Sequence, residues 1–281
     1  MQRFYSWDGT ELAYRMVGSG PPLVCIPGGP GQAVEYFDEL GGLSEHRTLI
    51  LLDNRGTGGS QTLQDPTTYR VERLVHDVEA LRGHLGLDVM DLFGHSASGG
   101  ICLLYAAEHP HRVGRLVLVD PSMRVVGIQS DLGVDEVLAK RAHEPWYADA
   151  VAALHAEAAT PQELERYRWL AAPLLYGQWN AAAQEQAAAE PAQFAQPATD
   201  GFYAGFDPDP TLPSRLATLR MRILLVVGEY DIWPTSTAVR ELAALLNNAE
   251  LAVLPGAGHF PWVDDPANFV ATVEGFLGRA T

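Results

Sequence analysis

Asp91-Leu92-Phe93-Gly94-His95-Ser96-Ala97-Ser98-Gly99-Gly100 is the stretch on which the fold turns. An apolar run, Val89–Phe93, enters it, and a helical pattern leaves it through about Glu108. Small residues two before and two after Ser96 let the chain reverse tightly without striking neighbouring backbone. A strand, a sharp turn and a helix in direct succession hold a serine hydroxyl out at the C-terminal end of a sheet. The first turn of the helix also offers unpaired N–H groups to an anion. Gly94 at the −2 position, where the strand ends, makes Ser96 the candidate nucleophile. Ser98 stands at +2 where glycine is more usual. Taking Ser98 as the nucleophile would instead put Ser96 at −2 and Gly100 at +2. The plain alternative is a serine-rich helix N-cap.

Working outward, short apolar runs alternate with helical patterns. Residues 2–6 and 11–17 predict two strands joined by a turn at Asp8-Gly9. Leu23–Ile26, Thr48–Leu52, Val89–Phe93 and Arg115–Val119 predict further strands. Val71, Leu74, Val75, Val78, Leu81 and Leu85 recur at helical spacing over 69–86. Continuous rather than alternating apolar strands, separated by helices, indicate a mostly parallel sheet covered on both faces. From about 124 to 213 the chain is rich in Ala, Gln and Glu, and prolines cut it into short helical pieces. The strand and helix rhythm returns with a strand at 223–227, a helix at 235–246, a strand at 250–254 and a helix at 266–278. The expected architecture is therefore α/β. Residues 1–123 and 214–281 form the core domain, and 124–213 is an inserted helical cap subdomain.

A serine hydroxyl is a weak nucleophile near neutral pH and needs a base. Of nine histidines, His259 is the one in a Gly-rich loop, Leu254-Pro-Gly-Ala-Gly-His259, just after the last strand. His95 adjoins Ser96 in sequence, but the turn is expected to send it elsewhere. His109 and His111 read as exposed helix-end residues, and His46, His76, His84, His143 and His155 as surface. The base needs an acid that fixes its tautomer and stabilises the imidazolium. Asp231, directly after a strand in Gly228-Glu-Tyr-Asp231, is that candidate; Asp120 at the end of another strand is its rival, and Glu229 a weaker neighbour. The oxyanion needs two pre-positioned N–H donors. Ala97 supplies one. In Pro27-Gly28-Gly29-Pro30-Gly31 only the glycines can donate, and Gly29 is the expected second.

Composition narrows the class. The chain has 281 residues, 47% hydrophobic and 19% charged, with 35 Asp/Glu against 19 Lys/Arg for a net charge of −16. Such an acidic chain lacks the basic face of a nucleic-acid binder and is disfavoured on anionic membranes. No apolar run approaches the ~18 residues of a membrane span, and the N-terminus has no signal-peptide core, so a cytoplasmic location is expected. Two cysteines, Cys25 and Cys102, are too few for a disulfide scaffold. No metal site and no cofactor are expected: His109-Pro-His111 lacks further ligands at useful spacing, and no phosphate-binding glycine motif opens a helix. The partner expected is a small-molecule or short-peptide substrate.

The ordered motifs Pro27-Gly-Gly-Pro-Gly31, Asp53-x-Arg55-Gly56-x-Gly58-x-Ser60, Gly94-His95-Ser96-x-x-Gly99-Gly100, Gly228-x-x-Asp231 and Gly256-x-Gly258-His259 resemble the α/β-hydrolase superfamily. The resemblance covers nearly everything outside 124–213. Within the superfamily, the Gly-Gly-Pro-Gly loop and the Asp53–Ser60 turn are similar to the proline iminopeptidase group. That resemblance implies a helical cap over a serine-hydrolase site and release of N-terminal proline. Pro27 replaces the histidine usual in that group, and Ala97 and Ser98 replace its Trp and Gly. Relatives of this fold that use an aspartate nucleophile are excluded by Ser96. Carboxylesterase or lactonase activity, and a receptor-like protein that holds a ligand in the same fold, are the alternative readings. Asp53 and Arg55 are expected to build a structural turn. The segment 124–213 carries thirteen Asp/Glu and five Lys/Arg. Carboxylates above the serine would suit a substrate α-ammonium, whereas most of these acids read as solvated helix faces.

Overall fold

The computed structural model describes residues 1–279; the last two residues of the expected core segment 214–281 lie outside them. Eight strands form one sheet: β1 (Gln2–Tyr5), β2 (Glu11–Val17), β3 (Pro22–Ile26), β4 (Thr48–Asp53), β5 (Met90–His95), β6 (Val113–Val119), β7 (Arg222–Gly228) and β8 (Ala249–Leu254). Their order is β1-β2-β4-β3-β5-β6-β7-β8. β1, β2 and β4 pair antiparallel. From β4 to β8 the sheet is parallel. The apolar runs account for this arrangement. Val24, Leu92, Leu116 and Leu225 are buried on one face of the sheet, while Cys25, Phe93, Val117 and Val226 are buried on the other. Strands covered on both sides have no reason to alternate apolar with polar residues.

Helices α1 (Val71–His84) and α2 (Ser98–Glu108) pack on one face, and their contact is made by the apolar stripe that predicted α1. Seven-residue α3 (Val134–Lys140), then α4 (Tyr147–Leu154), α5 (Pro161–Ala171), α6 (Ala181–Ala189), α7 (Gln196–Phe202) and α8 (Leu212–Leu216) all lie between β6 and β7. Prolines open α5, α7 and α8, where a missing N–H costs nothing. α9 (Ser236–Leu245), the short α10 (Pro261–Asp264) and α11 (Pro266–Leu277) complete the chain. Among the described residues no helix is long and apolar enough to cross a membrane.

The α4–α8 region is stitched to the loops at the carboxyl ends of the strands. Ala33 N–H donates to the Gln193 carbonyl (2.9 Å) and Ala195 N–H to that of Gly31 (2.8 Å). Thr199 Oγ1 donates to the Pro30 carbonyl (2.8 Å). Asp264 accepts from the N–H groups of Gly177 (2.8 Å), Gln178 (3.3 Å) and Gly258 (2.8 Å). One carboxylate thus ties the helical segment to the loop that carries His259.

Asp53 and Arg55 do build a turn. Asp53 accepts from the N–H groups of Val34 and Gly59, both at 3.0 Å. Arg55, 1% exposed, is held by Asp77 through Nε (2.7 Å) and Nη2 (2.5 Å), and by Asp8 through Nη1 (2.9 Å).

Candidate active site

The carboxyl ends of β3, β5, β6, β7 and β8 converge, so residues far apart in sequence meet above the sheet. Ser96 follows β5 with φ of 53°, a left-handed conformation that a non-glycine residue adopts only when its surroundings enforce it. Its N–H donates to the Val119 carbonyl (3.0 Å), and its carbonyl accepts from Gly99 (2.9 Å) and Ser122 (2.8 Å). Those three bonds hold the turn. Gly28 has to be glycine for space: an added Cβ would lie 2.6 Å from the His95 carbonyl oxygen and 2.8 Å from Ser96 Cβ.

His259 Nε2 lies 2.9 Å from Ser96 Oγ, and His259 Nδ1 lies 2.8 Å from Asp231 Oδ2. An ionised carboxylate only accepts, so Nδ1 carries the proton and Nε2 is free to accept from the serine. Asp231 is fully buried, and its other oxygen accepts the Trp233 N–H at 2.8 Å. The three expected residues therefore form one hydrogen-bonded row. Ser98 stands outside it. Its hydroxyl is fully buried, accepts from the His95 N–H (2.8 Å) and donates to the Ile26 carbonyl (2.7 Å).

The Gly29 and Ala97 N–H groups, expected as the oxyanion donors, have no hydrogen-bond acceptor among the described residues; Ala97 follows Ser96, and Gly29 follows Gly28, which lies against Ser96. The neighbouring Gly28 N–H is already engaged by Tyr36 Oη at 2.7 Å.

As expected, the turn sends the His95 ring away from Ser96: its two nitrogens face Tyr36 Oη and the His259 carbonyl. β5 continues through His95, pairing it with Val119, so the side chain falls on the same face as Phe93, two residues earlier. It is buried, with its ring centroid 4.7 Å from that of His259. The period-2 rule applied two residues past the apolar run could have found it. His46, His76, His84, His111, His143 and His155 are exposed, as expected, and His109 is half-buried.

The charges of two further carboxyls bear on these residues. Asp120 is fully buried; Oδ1 accepts from the Gly228 N–H at 2.9 Å, while Oδ2 has no hydrogen-bond partner. Burial and the adjacent Asp231 push its carboxyl well above the carboxylate range. Glu190, at the end of α6, is half-buried, and its carboxylate makes no hydrogen bond or ion pair among the described residues. Burial raises its carboxyl, against the pull of His259 and Arg168. Its charge also bears on Tyr36 and Tyr176. Nothing in the sequence separates Glu190 from the other acids of 124–213.

Asp120, Asp231 and His259 are the one group of three His, Cys, Asp or Glu among the described residues close enough to share a metal ion. The Asp231–His259 hydrogen bond already joins two of them. His109 and His111 are not part of the group.

The profile of the alpha/beta hydrolase fold family matches residues 21–266. A proline iminopeptidase from Lactobacillus helveticus is 39% identical over 117 residues, 39% of this chain and 40% of that protein. The match thus spans about two-fifths of that relative's length. A proline iminopeptidase from Lactobacillus delbrueckii subsp. bulgaricus is 25% identical over 297 aligned positions, covering 98% of this chain and 97% of its own. Among solved structures, an esterase from Rhodococcus sp. ECU1013 superposes with a TM-score of 0.77 at 23% identity, covering 100% of this chain and 99% of that one.

Proposed function

The chain belongs to the alpha/beta hydrolase fold family, and from that premise we propose that it is a serine hydrolase working through an acyl-enzyme. Ser96 Oγ attacks the substrate carbonyl as His259 Nε2 takes its proton. Asp231 holds the imidazole in the Nδ1–H tautomer and stabilises the imidazolium that forms. The Gly29 and Ala97 N–H groups receive the oxyanion, where fixed dipoles need no reorganisation as charge develops. His259 then returns the proton to the leaving group, and later acts as base for the water that releases the acyl group from Ser96. What supports these roles is the 2.9 Å and 2.8 Å row from Ser96 through His259 to Asp231. Residues 124–213 act as the cap over this site, and 1–123 with 214–281 as the core that carries it.

The substrate reading is release of N-terminal proline from short peptides in the cytoplasm. Glu190 is the observation that carries it. An unpaired, half-buried carboxylate whose charge couples to His259 is what a protonated prolyl nitrogen needs when its carbonyl sits at Ser96 Oγ. The second reading, a carboxylesterase or lactonase, is favoured by Pro27 and Ala97, which stand where the aminopeptidase group has His and Trp.

Initial rates on L-prolyl-p-nitroanilide and p-nitrophenyl acetate, with Ser96→Ala as blank, separate the two. Under the aminopeptidase reading, Glu190→Gln lowers kcat/KM for the prolyl substrate by at least about thirty-fold, the ~2 kcal/mol lower bound for breaking a buried charge pair, and leaves ester turnover within about three-fold. Ester turnover without prolyl turnover selects the esterase reading. Ligand binding without turnover of either would select the receptor-like alternative.

A further inference from the structure

His95 is ringed by Tyr36, Phe37, His259, Phe260 and Trp262, with centroids 4.7–6.1 Å away. Its Nε2 lies 2.9 Å from the backbone carbonyl oxygen of His259. A carbonyl can only accept, so Nε2 carries a proton. Burial, with His259 alongside, drives the imidazole well below its ordinary range, so it is neutral and Nδ1 is bare. Tyr36 Oη lies 2.8 Å from that Nδ1 and must donate to it. The same oxygen accepts the Gly28 N–H at 2.7 Å. Every proton in the chain is thereby assigned in one direction, from Gly28 N–H through Tyr36 and His95 to the His259 carbonyl.

The two ends of this chain are the two loops that must keep register about Ser96. Gly28 directly precedes the expected oxyanion donor Gly29. The His259 carbonyl belongs to the residue whose ring faces Ser96 Oγ. No backbone hydrogen bond among the described residues joins the two loops directly. The geometry points to Tyr36 and His95 as positioning residues that lock the Gly28–Gly29 loop to the His259 loop and so keep the oxyanion donor and the base aligned on one serine. This rests on the serine-hydrolase reading above and extends it. Neither side chain touches the reacting atoms. Tyr36 also engages the Gly28 N–H, which leaves the oxyanion to Gly29. Because a tetrahedral oxyanion is more demanding of donor geometry than a bound ester, loss of the lock falls on kcat rather than KM.

The test uses Tyr36→Phe, His95→Gln and the double variant. Four quantities are read: kcat and KM for p-nitrophenyl acetate, the rate of Ser96 labelling by a fluorophosphonate, Tm, and the His95 tautomer by NMR of protein labelled with ¹⁵N-histidine. We expect His95 in the wild type to be a neutral Nε2–H tautomer. Tyr36→Phe, which deletes one oxygen, lowers kcat and the labelling rate together by about ten-fold or more, with KM within two-fold. The double variant is no slower than the slower single, as members of one chain are not additive. If His95→Gln fails to fold, Tyr36→Phe carries the test alone. A Tyr36→Phe variant with kcat within two-fold of wild type, single effects that multiply in the double, or an Nδ1–H tautomer overturns the inference. Wild-type protein that neither turns over the ester nor reacts with the fluorophosphonate removes the hydrolase reading and this inference together. Active wild type with an unaffected Tyr36→Phe removes this inference alone.

Discussion

Asp120 and Asp231, on loops that follow adjacent parallel strands, each bring a carboxylate oxygen to within 4.8 Å of the other and of a His259 nitrogen. Both are fully buried. Two carboxylates so close cannot both ionise in a dry site. The proton belongs on Asp120, whose carboxyl burial and Asp231 push up, because Asp231 already accepts from His259 and from the Trp233 N–H.

The two acids should therefore respond differently to the same change. Asp231→Asn should lower kcat by about 10³–10⁴-fold, because the amide favours the wrong imidazole tautomer. Asp120→Asn keeps a neutral donor in place and should cost less than about ten-fold. Steady-state kinetics on whichever substrate turns over checks both. The reverse ranking would make Asp120 the acid of the site.

Gly28 should tolerate no side chain. A methyl there would press on the His95 carbonyl oxygen and Ser96 Cβ, both held by the β5 turn. Gly28→Ala should cost about 1–3 kcal/mol of stability, as overpacking does, and lower kcat at least ten-fold while the protein remains folded. Chemical denaturation beside kinetics measures the two effects. Full activity would show that the loop can retreat from Ser96.

The Arg55–Asp77 pair offers a test of stability free of catalysis. Both side chains are fully buried, and Ser6 Oγ also donates to Asp77. Asp77→Ala strands a guanidinium in the core with only Asp8 beside it. Removing one partner of a buried pair costs about 3–5 kcal/mol, which for a chain of this size lowers Tm by about 10 °C. The folded fraction should retain wild-type KM. A Tm change of only a degree or two would show that water reaches Arg55.

His95 predicts a pH dependence of stability. Its folded-state pKa is lowered well below 6.5 by burial and by His259. Between the folded and the unfolded values, the unfolded chain binds a proton that the folded chain refuses. Stability is then fully present above about pH 6.5 and is lost as pH falls, with a slope approaching about 1.4 kcal/mol per pH unit. Denaturant titrations between pH 5 and 8 should show this slope in wild type and its reduction in His95→Gln. Equal slopes in the two proteins would mean that His95 is protonated while folded.

Most of the fold was legible because its signals are local. Strand runs at 23–26, 48–52 and 115–119 and the α1 stripe reflect burial on two faces or one, and each lies within a dozen or so consecutive residues. The serine turn was equally legible, since small residues at fixed offsets are a steric demand of the turn itself. Strand ends were less so: β5 runs two residues past its last apolar side chain, because parallel pairing with β3 and β6 satisfies the backbone there whatever the side chain. That extension took His95 into the core.

The sequence by itself determined an α/β chain with a helical insertion, a serine on a strained turn, and a histidine and an aspartate on loops after later strands. Only the tertiary structure decided which acid faces His259 Nδ1, and that Tyr36 and His95 join two loops 231 residues apart, from Gly28 to His259. The reason is physical. Hydrophobic period and turn sterics act between near neighbours along the chain. Hydrogen bonds between loop tips depend on which strands the sheet makes adjacent and on how far each strand runs before it turns.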